Sequence, residues 1–211
     1  MKRIFVINPG CTSTKVAVYE DETAVWTSDG LHAPEDIEKF TTVAEQYEYR
    51  KDFILNLLKE AGIPLQFDAV IGRGGLLKPL HGGVYAVNEQ MKHDLNHAKH
   101  QHVCNLGCLI ADEIARQCHC PAFMADPVVV DEMMTRARYT GLPFMKRESI
   151  FHALNAKAAS RRYARTVGRK YEDMNLVVAH LGGGICVSAH YQGKVIDVNN
   201  ALNGEGPIAP E

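Results

Sequence analysis

One pattern occurs twice in this chain, and it restricts the fold more than anything else in the sequence. Residues 3–7, 15–19 and 23–27 read as three short strands, rich in β-branched and apolar residues. A glycine-containing turn joins the first two, and Glu20-Asp21-Glu22 joins the last two. Residues 175–181, 185–190 and 195–198 repeat the scheme, with Gly182-Gly183-Gly184 in the first turn and Gln192-Gly193 in the second. A repeated strand, glycine turn, strand, turn, strand predicts two related lobes, each presenting a hairpin turn to a shared ligand. Between the copies, the spacing of apolar residues predicts helices over 41–61 and 105–116, strands over 67–71 and 122–125, and a helix over 148–165. The 41–61 helix carries Val43, Tyr47, Phe53, Ile54, Leu57 and Leu58 as its apolar stripe and stops at Gly62-Ile63-Pro64. Helices set between later strands argue for a mixed α/β sheet. The expected division is a first lobe over 1–145 and the start of a second over 146–211. The second reads as incomplete, because no covering helices follow its three strands.

The first turn carries the chemistry most plainly. Asn8-Pro9-Gly10-Cys11-Thr12-Ser13-Thr14-Lys15 resembles a phosphate-binding P-loop at first sight, but the second glycine of that motif is missing. β-Branched residues follow the lysine, so the segment reads as a hairpin tip rather than a turn into a helix. Backbone N–H groups, the Thr12, Ser13 and Thr14 hydroxyls and the Lys15 ammonium can converge there on an anion. An ordinary polar turn is the alternative reading.

A net charge of −2 gives no electrostatic footprint for nucleic acid or an anionic membrane. No apolar run approaches the ~20 residues that span a bilayer. The N-terminus enters a strand without a secretory signal, so the expected location is cytoplasmic. The six cysteines therefore do not read as a disulfide framework. Cys104 and Cys108, one helical turn apart, read as small buried hydrophobes, and Cys118-His119-Cys120 lacks the spacing of a zinc knuckle.

Five segments together, 7–15, 126–132, 149–155, 179–185 and 197–202, closely resemble the butyrate-kinase branch of the acetokinase family, within the actin-like ATPases and sugar kinases. The likeness runs along the whole chain. The family's members are longer, and it covers their first half or slightly more. The resemblance implies a ribonuclease-H-like (actin-like ATPase) α/β fold in two lobes. It also implies reversible phosphoryl transfer between ATP and a short-chain fatty acid, giving an acyl phosphate and ADP with Mg2+. Butanoate is the acceptor that the motif wording favours, with acetate, propionate or a branched acid as alternatives and an inactive fragment as another. Such chemistry asks the protein for charge neutralisation and alignment rather than covalent steps.

Residue by residue, the resemblance implies that Asn8, Gly10, Thr12, Ser13, Thr14 and Lys15 form a first phosphate loop, and Gly182, Gly183 and Gly184 a second. Arg73 matches the arginine that pairs with carboxylate or phosphoryl, which a guanidinium fork suits. Asp126 matches the catalytic acidic residue, and with Asn8 is the expected Mg2+ site. His152 and His180 match cleft histidines that donate to the transferred group, and His102 with Asn105 resembles a further active-site loop. Cys11 departs from the serine usual at its position, and a thiol is a weak donor. The family's adenosine pocket and a further arginine are expected beyond Glu211, and its members suggest a homo-oligomer.

Overall fold

The computed structural model describes residues 1–182 and 184–204, which form two compact units. The first comprises residues 1–77 and 84–125, the second residues 78–83 and those from Asp126 onward.

The first unit is built on a six-stranded sheet. Strands β1 (Arg3–Pro9), β2 (Ser13–Glu20) and β3 (Thr23–Leu31) form an antiparallel meander. β4 (Ala69–Arg73) and β6 (Ala122–Ala125) extend it in parallel from β1, and the short β5 (Val84–Ala86) closes the other edge antiparallel to β6. The order is β3-β2-β1-β4-β6-β5, the mixed sheet expected. The helices are α1 (Pro34–Ile37), α2 (Gln46–Glu60), α3 (Glu89–Asn96) and α4 (Asn105–Gln117).

The period of two places Phe5 and Ile7 on one face opposite Val18 and Val16. Ile54 and Leu58 of α2 and Leu106, Ile110 and Ile114 of α4 share the same core. Each such side chain, fully removed from water, contributes about 1.5–3 kcal/mol. Close approach between α4 and β4 rests on two glycines. A Cβ on Gly72 would lie 2.2 Å from the Gly107 carbonyl oxygen, and one on Gly107 would lie 2.2 Å from that of Arg73. Backbone meets backbone here, which locates the end of β4 against the start of α4.

In the second unit β7 (Asn175–Leu181), β8 (Ile185–Tyr191) and β9 (Lys194–Val198) repeat the meander in the order β7-β8-β9. The likeness to the first copy extends to a detail. Both meanders are irregular between their second and third strands, at Val18/Tyr19 and at Ala189/His190. Helix α5 (Ala153–Thr166) turns Ala153, Ala156, Ser160 and Ala164 inward, and these small residues let it lie close. Phe151, Cys186, Val195 and Val198 share a core with Ala153 and Ala156. Val177 and Leu181 of β7 are exposed.

Several boundaries differ from expectation for local reasons. Helix α2 starts at Gln46 rather than 41, because the Glu45 carboxylate accepts from the N–H groups of Thr41 and Thr42 and holds them in turns. Helix α5 starts at Ala153 rather than 148, since Ser149 Oγ donates to Val130 O and Phe151 N to Val128 O. Residues 126–150 pack with the second unit, so the compact units part at Asp126, ahead of the division expected after 145. Short elements without strong periodicity, β5 and α3, were not expected. Asn88 caps α3 by accepting from Met91 N at 2.8 Å.

Candidate functional site

In the first unit, β1 and β2 join in the expected hairpin, with Asn8 opposite Lys15 and Pro9 opposite Thr14. Gly10 N donates to Ser13 O at 2.7 Å and closes the tip. Arg73, at the end of the neighbouring parallel strand, donates through Nη1 to Asn8 Oδ1 at 3.3 Å. Two residues far apart in the chain thus meet because β1 and β4 pair in parallel and end on the same side. Asn105 is buried at the start of α4 and accepts from Leu76 N at 2.9 Å, bracing the glycine turn that follows Arg73. A Cβ on Gly75 would strike its Oδ1 at 2.3 Å. His102 Nδ1 lies 3.0 Å from Cys104 Sγ, and its Nε2 is 3.9 Å from Cys11 Sγ.

The expected anion loop is only partly as the sequence suggested. Cys11 and Thr12 are exposed at its tip and Ser13 is half-buried. Thr14 is fully buried, and its hydroxyl lies 2.8 Å from His32 Nε2 and accepts from Arg50 Nη1 at 3.0 Å. Strand alternation turns it away from the tip. Lys15 points to the surface and pairs with Asp29 across β3 at 2.9 Å.

Sequence reading missed Arg50, whose guanidinium is wholly buried under the loop. A signal existed: Gln46, Arg50, Ile54 and Leu58, spaced by four, form the buried line of α2. Burial draws the pKa of Arg50 below its usual value. His32 is pushed down to about 4, first by burial and then by the Arg50 charge.

In the second unit, Asp126 is buried and carries φ of 36°, a left-handed backbone that a non-glycine residue adopts at a cost. Three contacts hold it there. Gly83 N donates to Oδ1 at 2.9 Å, Arg161 Nη1 donates to Oδ2 at 3.0 Å, and Asp126 N donates to Gly83 O. Beside it lies a buried ion pair, Lys157 Nζ with Glu132 Oε1 at 2.9 Å, both side chains under a tenth exposed. Glu132 also accepts from Gly82 N and Val195 N. Burial works to raise the Glu132 pKa, but Lys157 and these two N–H groups outweigh it and hold it below the ordinary carboxylate value. Gly82 has no room for a side chain: a Cβ would stand 2.3 Å from Lys157 Nζ, 2.7 Å from Glu132 Oε1 and 3.1 Å from Asp126 Oδ1. Neither this pair nor Arg161 was singled out from the sequence.

His152, at the N-terminus of α5, and His180, at the end of β7, stack with ring centroids 3.8 Å apart and planes at 7°. The structure therefore brings these two sequence candidates together. Asn155 Nδ2 lies 2.8 Å from His180 Nδ1, and Cys186 Sγ lies 3.5 Å from His152 Nδ1. A Cβ on Gly182 would stand 3.4 Å from His180 Nε2, so this turn runs directly past the ring. Gly184 follows in the same turn, and Gly183 lies outside the described residues. A second buried histidine, His190, sits 2.6 Å from the Tyr171 hydroxyl and 2.7 Å from Ser188 Oγ. Burial and then Lys157 lower it to about 4.

Of the two residues expected to hold Mg2+, Asn8 belongs to the first unit and Asp126 to the second, and each has protein partners. The Asp126 carboxylate is committed to Arg161 and Gly83 N, and Asn8 Oδ1 to Arg73. Among the described residues, no group of three or more His, Cys, Asp or Glu side chains is placed to hold a metal ion. Among them also, no helix is long and apolar enough to cross a membrane.

The fold is that of the acetate and propionate kinases, of the actin-like ATPase type. Porphyromonas gingivalis acetate kinase superposes with a TM-score of 0.69 at 17% identity, over 95% of this chain and 58% of that one. The acetate kinase of Entamoeba histolytica gives 0.64 at 14% identity, over 94% and 56%. A propionate kinase from Francisella tularensis gives 0.59 at 18%, over 95% and 58%.

Sequence likeness is narrower. The chain is 66% identical over 99% of its length to a probable butyrate kinase of Phocaeicola vulgatus, of which it covers 59%. It is 55% identical to a probable butyrate kinase of Bacteroides thetaiotaomicron, over 99% of this chain and 60% of that one. Butyrate kinase 1 of Clostridium acetobutylicum is 52% identical over the whole chain and 60% of its own length. The chain thus spans about three-fifths of the length of the curated relatives it matches. No family model matches it.

Proposed function

We propose that this chain serves an acetokinase-family carboxylate kinase that moves a phosphoryl group reversibly between ATP and butanoate, giving butanoyl phosphate and ADP. Two features support the reading: identity of 52–66% to proteins named butyrate kinase, and the Arg73–Asn8 contact at 3.3 Å beside the hairpin tip. The second feature carries it in structural terms. A guanidinium fixed by a neutral amide keeps its charge for an incoming anion, whereas a carboxylate partner would neutralise it.

In this reading Arg73 and Asn8 hold the acyl carboxylate or the transferring phosphoryl, and Gly10, Thr12, Ser13 and Lys15 receive phosphate oxygens. Gly182, Gly183 and Gly184 admit nucleotide phosphates to backbone donors. The stacked His152 and His180 donate hydrogen bonds to the moving group, and Asp126, held by Arg161, orients what approaches it. The divalent cation enters with the nucleotide as part of the substrate rather than as a resident group. The domain roles follow: phosphate loop 1 in the first unit and loop 2 in the second. The setting is the cytoplasm, in an assembly of like copies.

The test is an acyl-phosphate assay, trapping the product as hydroxamate, with acetate, propionate, butanoate and isobutyrate in parallel. Highest kcat/KM for butanoate supports the proposal. Preference for acetate or propionate retires the butanoate assignment and leaves a carboxylate kinase. No product with any acid from this chain, against clear turnover by the Phocaeicola vulgatus relative, retires catalysis by the chain alone.

A further inference from the structure

Among the described residues, Arg50 is fully buried, and it has no part in the functions assigned so far. Every acceptor around it is uncharged. Nε donates to Gln46 Oε1 at 2.9 Å, Nη1 to Thr14 Oγ1 at 3.0 Å and to His32 Nε2 at 3.1 Å, and Nη2 to Cys11 O at 3.3 Å. Among the described residues no ion pair reaches it. A guanidinium does not shed its proton in proteins, so a full positive charge is held in the interior by dipoles alone. That arrangement costs stability unless something else draws on the charge.

Its contacts show where the charge acts. The Cys11 carbonyl accepts from Arg50, and the next carbonyl, Thr12 O, accepts from His32 N at 3.0 Å at the end of the β2–β3 ladder. In a trans peptide the C=O and the following N–H point in opposite directions. The Thr12 N–H therefore points away from Arg50 and the Ser13 N–H away from β3, two successive donors of the kind that backbone nests offer to anions. His32 completes the clamp: its Nε2 accepts from Arg50, and its Nδ1 donates to the Tyr49 hydroxyl at 3.2 Å.

We propose that Arg50 is a positioning residue for the first phosphate loop, orienting its N–H groups outward and adding a fixed positive charge behind whatever phosphate they bind. This inference rests on the reading of residues 10–14 as a phosphate loop, but not on the acyl acceptor. Placed behind the loop in a low-dielectric setting, the charge strengthens phosphate binding without itself touching the ligand.

The experiment titrates the 211-residue chain with inorganic pyrophosphate and follows backbone amides by 1H–15N NMR. In the wild type, the largest shifts are expected at the Thr12 and Ser13 amides. Arg50→Met is expected to weaken pyrophosphate binding about tenfold or more, and Arg50→Lys, which keeps the charge and loses the fork, about threefold to tenfold. His32 supplies an independent signature. Its titration midpoint, about 4 beside Arg50, should climb in Arg50→Met, and the amide spectrum reports whether that variant keeps its fold. If Arg50→Met does not fold, Arg50→Lys decides. Unchanged affinity in a folded variant, or wild-type shifts that miss Thr12 and Ser13, overturns the inference. Arg50-dependent binding in a chain without kinase activity overturns only the kinase reading. An active kinase indifferent to Arg50 overturns only this one.

Discussion

Lys157→Met removes a cation whose side chain is 3% exposed and leaves Glu132, 8% exposed, without its counter-charge. Two N–H donors remain for the carboxylate, from Gly82 at 3.0 Å and Val195 at 2.8 Å. Breaking a buried pair from one side costs about 3–5 kcal/mol. Glu132 has an escape, which is to take up a proton. From an ordinary value of 4.5, protonation at pH 7 costs about 1.36 × 2.5 ≈ 3.4 kcal/mol, and at pH 5 only about 0.7 kcal/mol. The charge-related loss is therefore capped near 3–4 kcal/mol at neutral pH and shrinks as pH falls.

The sign is opposite to that of the wild type. There the Glu132 pKa lies below its unfolded value, so its stabilisation is present above about pH 4.5 and lost as pH falls through the folded value. Urea unfolding at pH 7 and pH 5, followed by near-ultraviolet circular dichroism, measures the difference. The sole tryptophan, Trp26, lies in the other unit, and its fluorescence is an internal control. Pairing the change with Glu132→Gln should recover most of the loss. A deficit below about 1 kcal/mol at pH 7, or an equal deficit at both pH values, refutes the claim that this pair is buried and charged.

Gly72→Ala should cost at least about 3 kcal/mol, because the new methyl meets backbone on the facing helix, and calorimetry on the purified variant checks it. Acidification should remove stability between about pH 6.5 and pH 4, since His32 and His190 stay neutral when folded and gain protons on unfolding. Each contributes on the order of 3 kcal/mol, and denaturant midpoints across that range would expose a flat profile if either ring were wrongly placed. Arg73→Ala should lower kcat/KM for butanoate about a hundredfold to a thousandfold in an active enzyme, and a loss under fivefold would remove Arg73 from the site.

Much was legible in the chain because it depends on local spacing. The two meanders announced themselves through alternation and glycine turns, and β6, β7 and α4 fell within a residue of where periodicity placed them. The helix starts did not, since they depend on hydrogen bonds such as Glu45 to Thr41 and Ser149 to Val130, which spacing does not encode. Asn8, Arg73, His152 and His180 stood out in the sequence as residues whose chemistry suits the expected site. That Asn8 meets Arg73, and that the two histidines stack, became visible only once strands had paired.

By itself the sequence determined the α/β class, the duplicated hairpins and the glycine turns, because backbone conformation and binary patterning are properties of neighbours along the chain. Tertiary structure alone decided which polar groups lose their water. It turned Thr14 inward, buried Arg50 beneath the first turn and closed Lys157 on Glu132. The reason is physical: the cost of burying a charge depends on everything packed around it, and those neighbours come from distant parts of the chain.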